Sequence, residues 1–219
     1  MKALYQDPDL LIIDKPAGLA DPASELVKEF PELLKVGGKD HGACHRLDVG
    51  TSGLLVFARN EETYQKMREA FSKNRVEKEY HAVVQGTVTK GGKIDWPIGP
   101  DPKSAKRVKI YKNLKEARRN RAQEAVTIYS PVDFGFVPVG PDSQQPFELR
   151  YERSQRADQL PPTRTIDKID SETTLLQIII KSGRRHQIRA HLAAIGHPLV
   201  GDLLYGRPAT DRLYLHASR

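Results

Sequence analysis

Two short stretches hold most of the polar side chains able to do chemistry. Residues 45–53 read His-Arg-Leu-Asp-Val-Gly-Thr-Ser-Gly and run into the apolar segment 54–58, while residues 183–206 read GRRHQIRAHLAAIGHPLVGDLLYG. In the first, Asp48 sits between Arg46 and a Gly-rich turn. Such an Asp can simply cap backbone N–H groups, or, left open to a substrate, it can act as a nucleophile or general base. In the second, Arg185 and Arg189 are four apart, which predicts neighbours on one face of a helix beginning near Arg184, both at its positive end. Like-charge proximity and the dipole each cost about a few tenths of a kcal/mol there. The pair therefore suits an opposing anion, either a phosphate or an Asp held ionised by a bidentate Arg. The plainer alternative is two arginines extending into water.

The elements that must position these groups are legible in outline. Strands are expected at 10–14, 54–58, 80–86, 124–129 and 174–181, each β-branched or apolar and closed by Gly, Pro or Ser. Asn60 is expected to cap a helix with Glu61 and Glu62 in its first turn and Tyr64, Met67 and Phe71 on its core face. Ile188, His191, Leu192 and Ile195 carry the helical period of a second helix, which Gly196 and Pro198 end. Residues 138–170 are Pro- and polar-rich without period, and read as a surface excursion on one domain spanning 1–219.

Charge narrows the partners. The 219-residue chain has a net charge of +7. Nine Lys and Arg against Glu116 give residues 103–121 a net +8, leaving −1 for the remainder. That segment, with Lys106 and Arg107 in it, reads as a phosphate-tracking surface or a mobile arm. The single cysteine, Cys44, has no internal disulfide partner, and no apolar run approaches the roughly 18 residues of a membrane span. No signal peptide is read before the first strand, so a cytoplasmic protein is expected; a monomer is expected as well. His45, His186, His191 and His197 lack metal-site spacing: His186 and His191, five apart, diverge around a helix. No metal and no cofactor is expected. Cys44 beside His45 reads as a small buried residue rather than a nucleophile, and Trp96 and Tyr111 as packing groups that could also stack on bases.

Four blocks in order, DKPAGL at 14–19, HRLDVGTSGLLVFAR at 45–59, KEYHAVVQG at 78–86 and GRRHQIRAHLAAIGHPLVGDLLYG at 183–206, resemble the RNA pseudouridine synthases of the RluA type. The resemblance implies an α+β fold, a mixed, largely antiparallel central sheet with flanking helices and a cleft across its middle, here without an S4-type module ahead of residue 14. It also implies structured RNA, ribosomal or transfer, as partner. Asp48 matches the family's catalytic aspartate, Tyr80 the aromatic residue stacked on the target uracil, and Arg189 the arginine paired with that aspartate. Arg46 matches a residue that fills the gap left by the extruded base, and Lys15-Pro16 a supporting motif beneath the loop. Arg184 and Arg185, with Lys106 and Arg107, are expected to contact RNA phosphates. The isomerisation itself explains the residue types: a carboxylate can attack C1′ or take the C2′ proton, and a tyrosine can carry the detached base and help remove its C5 proton. Two other readings carry different expectations: a non-catalytic RNA-binding relative, and a metal-dependent phosphoesterase using Asp48 and the histidines.

Overall fold

The computed structural model describes residues 1–132, 173–206 and 212–219. The excursion expected at 138–170 lies outside the described residues. Among these, eight strands form one sheet in the order β1-β2-β3-β10-β4-β9-β8-β5. β1 (Lys2–Gln6), β2 (Leu10–Lys15) and β3 (Ser52–Ala58) are joined antiparallel, with Leu10 opposite Ala58 and Lys15 opposite Gly53. Alternation in β2 buries Leu11 and Ile13, and carries Lys15 to the same inner face. β4 (Lys78–Gln85), β9 (Thr173–Ile180), β8 (Thr127–Pro131) and β5 (Gly92–Ile94) continue antiparallel on the other side.

The three residues of β10 (Leu215–Ala217) join the two halves, running parallel to β3 and antiparallel to β4. This close seam requires Gly53. Its φ is +114°, and a Cβ there would run into the Ala217 carbonyl oxygen. The sheet is thus mixed and largely antiparallel, as the family resemblance implies. Its two halves have separate apolar clusters, one around Leu11, Ile13, Leu55 and Phe57, the other around Val84, Leu176, Ile178 and Leu199. The seam between them is the middle of the molecule's sheet, and a cleft opens there.

Two helices cover the sheet as expected. α2 (Glu61–Ser72), which follows the short α1 (Pro22–Leu26), starts where the Asn60 side chain accepts from the Thr63 N–H, and Tyr64, Met67 and Phe71 pack with Val36, Cys44 and Ala58. α4 (Gln187–Ala194) buries Ile188 and Leu192 in the second cluster. Its start differs from expectation. His186 is in the left-handed region at φ 52°, so the helix begins at Gln187 and Arg185 lies outside it.

The basic segment 103–121 is regular structure rather than an arm. β7 (Ser104–Ile110) pairs with β6 (Ile98–Asp101) in a separate two-stranded sheet, followed by α3 (Leu114–Arg119), capped by Asn113. Apolar anchors hold it: Tyr111 and Ala117 are buried, and the Tyr111 hydroxyl donates to the Pro100 carbonyl at 2.7 Å. Lys112 lies 4.2 Å above the ring of Trp96, which packs against the core. Residues 124–126 precede the strand that was expected to start at 124, since β8 begins at Thr127.

Candidate active site

The loop bearing Asp48 is built from the inside. Lys15, 1% exposed, ends β2 facing inward, and its ammonium donates to the carbonyls of Pro16, Leu19 and Val49 at 3.0–3.1 Å. The Gly18 N–H adds a 2.8 Å bond to the same Val49 carbonyl, and the Thr51 N–H closes the turn onto the Asp48 carbonyl at 2.9 Å. Burial lowers the Lys15 pKa, with Asp48 opposing the shift. Lys15 and Pro16 thus support the Asp48 loop, as their motif suggests. The Asp48 side chain remains 28% exposed.

Across the cleft, α4 presents Arg189. Its guanidinium holds Asp202 at two points, Nε to Oδ2 and Nη2 to Oδ1, both at 2.8 Å, and Nη1 reaches Asp48 Oδ2 at 3.4 Å. Arg189 therefore meets Asp48 as expected, but its principal anion is Asp202, which sequence reasoning missed. Burial disfavours the guanidinium's charge, yet the hydrogen bonds and charge of Asp202, then Asp48, leave its pKa raised. Burial likewise works against ionised Asp202. Arg189 and the backbone N–H groups of Leu204 and Tyr205 outweigh it and lower its pKa.

Tyr80 faces the same cleft from β4, opposite Ala217 of β10 and Ile178 of β9. Burial first, then the nearby Asp48 charge, pushes its phenol up to about 12. The phenol is thus a neutral hydroxyl on a flat ring rather than a ready base. His186 also borders the cleft, Nε2 lying 3.8 Å from Asp48 Oδ2.

The expected RNA contacts divide. Arg46 and Arg184 line the cleft mouth and are exposed, though Arg184 Nε also donates to the Glu124 carbonyl at 3.1 Å. Arg185 does not share a helix face with Arg189. The left-handed turn at His186 sends it outward, where it donates to the carbonyls of Ala105 and Lys106 at 3.2 and 3.0 Å. Its expected anion is thus replaced by backbone, and it ties β7 beside the cleft. Lys106 and Arg107 are exposed on that strand, with the Arg107 guanidinium 5.1 Å from the Tyr205 ring centre. Lys78 was not foreseen. Half-buried at the start of β4, it has its pKa lowered by burial and then by the Arg184 charge.

Other polar groups are accounted for structurally. Cys44 is buried, its thiol pushed up to about 11 by desolvation. His45 stacks on Phe71 at 4.6 Å and accepts from the Val56 N–H, while burial, then Lys78, lowers it to about 4. His191 bonds Thr127 and the Trp96 carbonyl inside the core. Among the described residues no three His, Cys, Asp or Glu side chains are grouped to hold a metal ion, and no helix is long and apolar enough to cross a membrane.

Comparison with known proteins shows the family and the fold. A family model described as RNA pseudouridylate synthase matches residues 9–194. Ribosomal large subunit pseudouridine synthase D of Nitrosomonas europaea is 33% identical over 221 residues, covering 96% of this chain and 51% of that protein. tRNA pseudouridine synthase C of Haemophilus ducreyi is 31% identical over 230 residues, covering 98% of this chain and 82% of that protein. The chain spans 51% and 55% of the Nitrosomonas protein and of an Aquifex aeolicus RNA pseudouridine synthase, about half the length of each. The solved structure of human RNA pseudouridylate synthase domain containing 1 shares the fold, with a TM-score of 0.70 at 22% identity over 98% of this chain and 75% of that one.

Proposed function

The chain belongs to the RNA pseudouridylate synthase family, and on that premise we propose that it isomerises uridine to pseudouridine in structured RNA, ribosomal or transfer. The observation that carries the reading is one partly exposed carboxylate, Asp48, 3.4 Å from a buried guanidinium in a cleft that also holds Tyr80. The reaction breaks the N1–C1′ bond, turns the base and joins C5 to C1′; C5 loses a proton and N1 gains one, so nothing is oxidised and no metal enters the balance. Asp48 serves as nucleophile at C1′ or as base toward the C2′ proton, and both routes require its ionised form. Arg189 supplies the opposing charge, and Tyr80 the surface for the detached ring. The uridine must first leave its stack, at roughly a few kcal/mol, which phosphate contacts from Arg184, Lys106 and Arg107 offset and Arg46 supports by entering the vacated gap. Arg185 joins them through the strand it anchors. In this reading 1–219 acts as a monomeric catalytic domain in the cytoplasm.

The test incubates total RNA from a strain lacking the gene with wild type or Asp48→Ala in excess chelator and maps pseudouridine. New sites with wild type alone are expected. Modification that survives Asp48→Ala would remove Asp48 from its role, binding without modification would mark a non-catalytic relative, and phosphate release in a parallel reaction without chelator, lost when chelator is added, would mark a phosphoesterase.

A further inference from the structure

His186 and Tyr205 have no part in the reading above, yet they form a chain of contacts that ends on Asp48. The Tyr205 hydroxyl oxygen accepts a 2.7 Å hydrogen bond from the Val108 N–H of β7, so its own proton must point elsewhere. His186 Nδ1 is 3.0 Å away, the rings meeting edge-on with centres 5.7 Å apart. Burial keeps the Tyr205 phenol above its ordinary value and, against the pull of Asp48, the His186 imidazole below its own. A phenol that donates to Nδ1 leaves the imidazole's single proton on Nε2, the nitrogen 3.8 Å from Asp48 Oδ2.

The surroundings fix both rings. Asp202 Oδ1 accepts from the Leu204 and Tyr205 N–H groups, so the carboxylate that grips Arg189 also sets the turn carrying Tyr205. The guanidiniums of Arg107 and Arg189 lie 5.1 and 5.4 Å from the Tyr205 ring centre. His186 itself occupies a left-handed backbone conformation, uncommon outside glycine but one that His, like Asn and Asp, adopts more readily than most side chains, and that turn aims its ring into the cleft. The charged groups acting on the imidazole are Asp48, Arg189, Arg185 and Asp202.

We propose that His186 is a positioning residue for Asp48, with Tyr205 setting its tautomer. A closure of about 1 Å brings Nε2–H into hydrogen-bond range of Oδ2. One carboxylate oxygen is then held between His186 and Arg189, and Oδ1 is turned toward the ribose. The proposal rests on the synthase reading, and its test separates the two.

Total RNA from a strain lacking the gene, tritiated at uridine C5, reports turnover, because that hydrogen is lost as the C5–C1′ bond forms. His186→Ala is expected to lower kcat about 10- to 100-fold while KM stays within about threefold. His186→Gln, which can present an N–H near the same place, recovers most of the loss, and Tyr205→Phe falls between. In ¹⁵N-histidine-labelled protein the signal lost in His186→Gln is expected to show a protonated Nε2 and a bare Nδ1, a pattern that Tyr205→Phe disturbs. An unchanged kcat in His186→Ala, a loss in KM alone, or a proton on Nδ1 in the wild type overturns the proposal. If His186→Ala does not fold, by melting, the Gln and Tyr205→Phe rates and the ¹⁵N pattern decide it. Wild type that releases no tritium overturns the synthase reading and this proposal together, whereas release insensitive to His186 overturns only this one.

Discussion

Arg189 and Asp202 are locked together by two buried 2.8 Å hydrogen bonds, and only the remaining guanidinium nitrogen is turned toward Asp48. The direction in which Arg189 points is therefore set by a carboxylate thirteen positions along the chain. Asp202 also holds the 202–205 turn through two backbone N–H groups. One side chain thus orders both the cleft's guanidinium and the turn that carries Tyr205.

Replacing Asp202 with Ala leaves a buried guanidinium without its main partner, and is expected to cost about 3–5 kcal/mol in urea denaturation. The pH dependence has a definite sign. The folded-state pKa of Asp202 lies below the ordinary value. Its ionised form therefore stabilises the protein fully above about pH 4, and that contribution is lost only as the pH falls through the depressed folded value. The stability difference between wild type and Asp202→Asn should be flat from neutral pH to about pH 5 and shrink below about pH 4.

Arg189→Ala separates charge pairing at Asp48 from phosphate binding. Turnover is expected to fall about 100-fold or more while RNA affinity, by filter binding, changes less than about threefold. Equal losses would make Arg189 a phosphate ligand. Because buried Asp202 loses its cation and keeps only its backbone N–H partners, the variant should also melt earlier than wild type.

Tyr80 offers a ring and a hydroxyl, and two variants divide them. Tyr80→Ala should lose about tenfold more turnover than Tyr80→Phe, the difference measuring the stacking surface. Any loss in Tyr80→Phe measures the hydroxyl. In a spectrophotometric titration the Tyr80 phenol should ionise near 12, a late component it shares with Tyr64, and that component should lose one tyrosine's amplitude in the Phe variant.

Lys15→Met keeps the bulk of the side chain but removes the donor shared by the carbonyls of Pro16, Leu19 and Val49. Stability should drop by about 1–3 kcal/mol. The Asp48 loop loses its anchor as well, so kcat should fall beyond what the remaining folded fraction explains, measured by tritium release below the variant's melting point.

Asp48, Tyr80 and Arg189 could be named as candidates from the family blocks they lie in, and the structure brings them to one cleft; the Asn60 cap and the apolar period together placed α2. The supporting place of Lys15 beneath the Asp48 loop came from the family resemblance, and the structure shows the three carbonyls it holds. What the sequence could not decide was direction and pairing over distance. The sign of φ at His186 is invisible in residue types, yet it moves the start of α4, takes Arg185 to the carbonyls of β7 and turns an imidazole toward Asp48. A count of charges found the basic segment but not that Tyr111 and Ala117 make it a folded hairpin and helix. The three residues of β10 are too few for any periodic signal, and yet their insertion between β3 and β4 forms the seam on which the cleft stands. Local pattern determined which groups could react; tertiary structure decided which partner each cation meets, because that depends on backbone turns and on the docking of segments, neither of which residue types record.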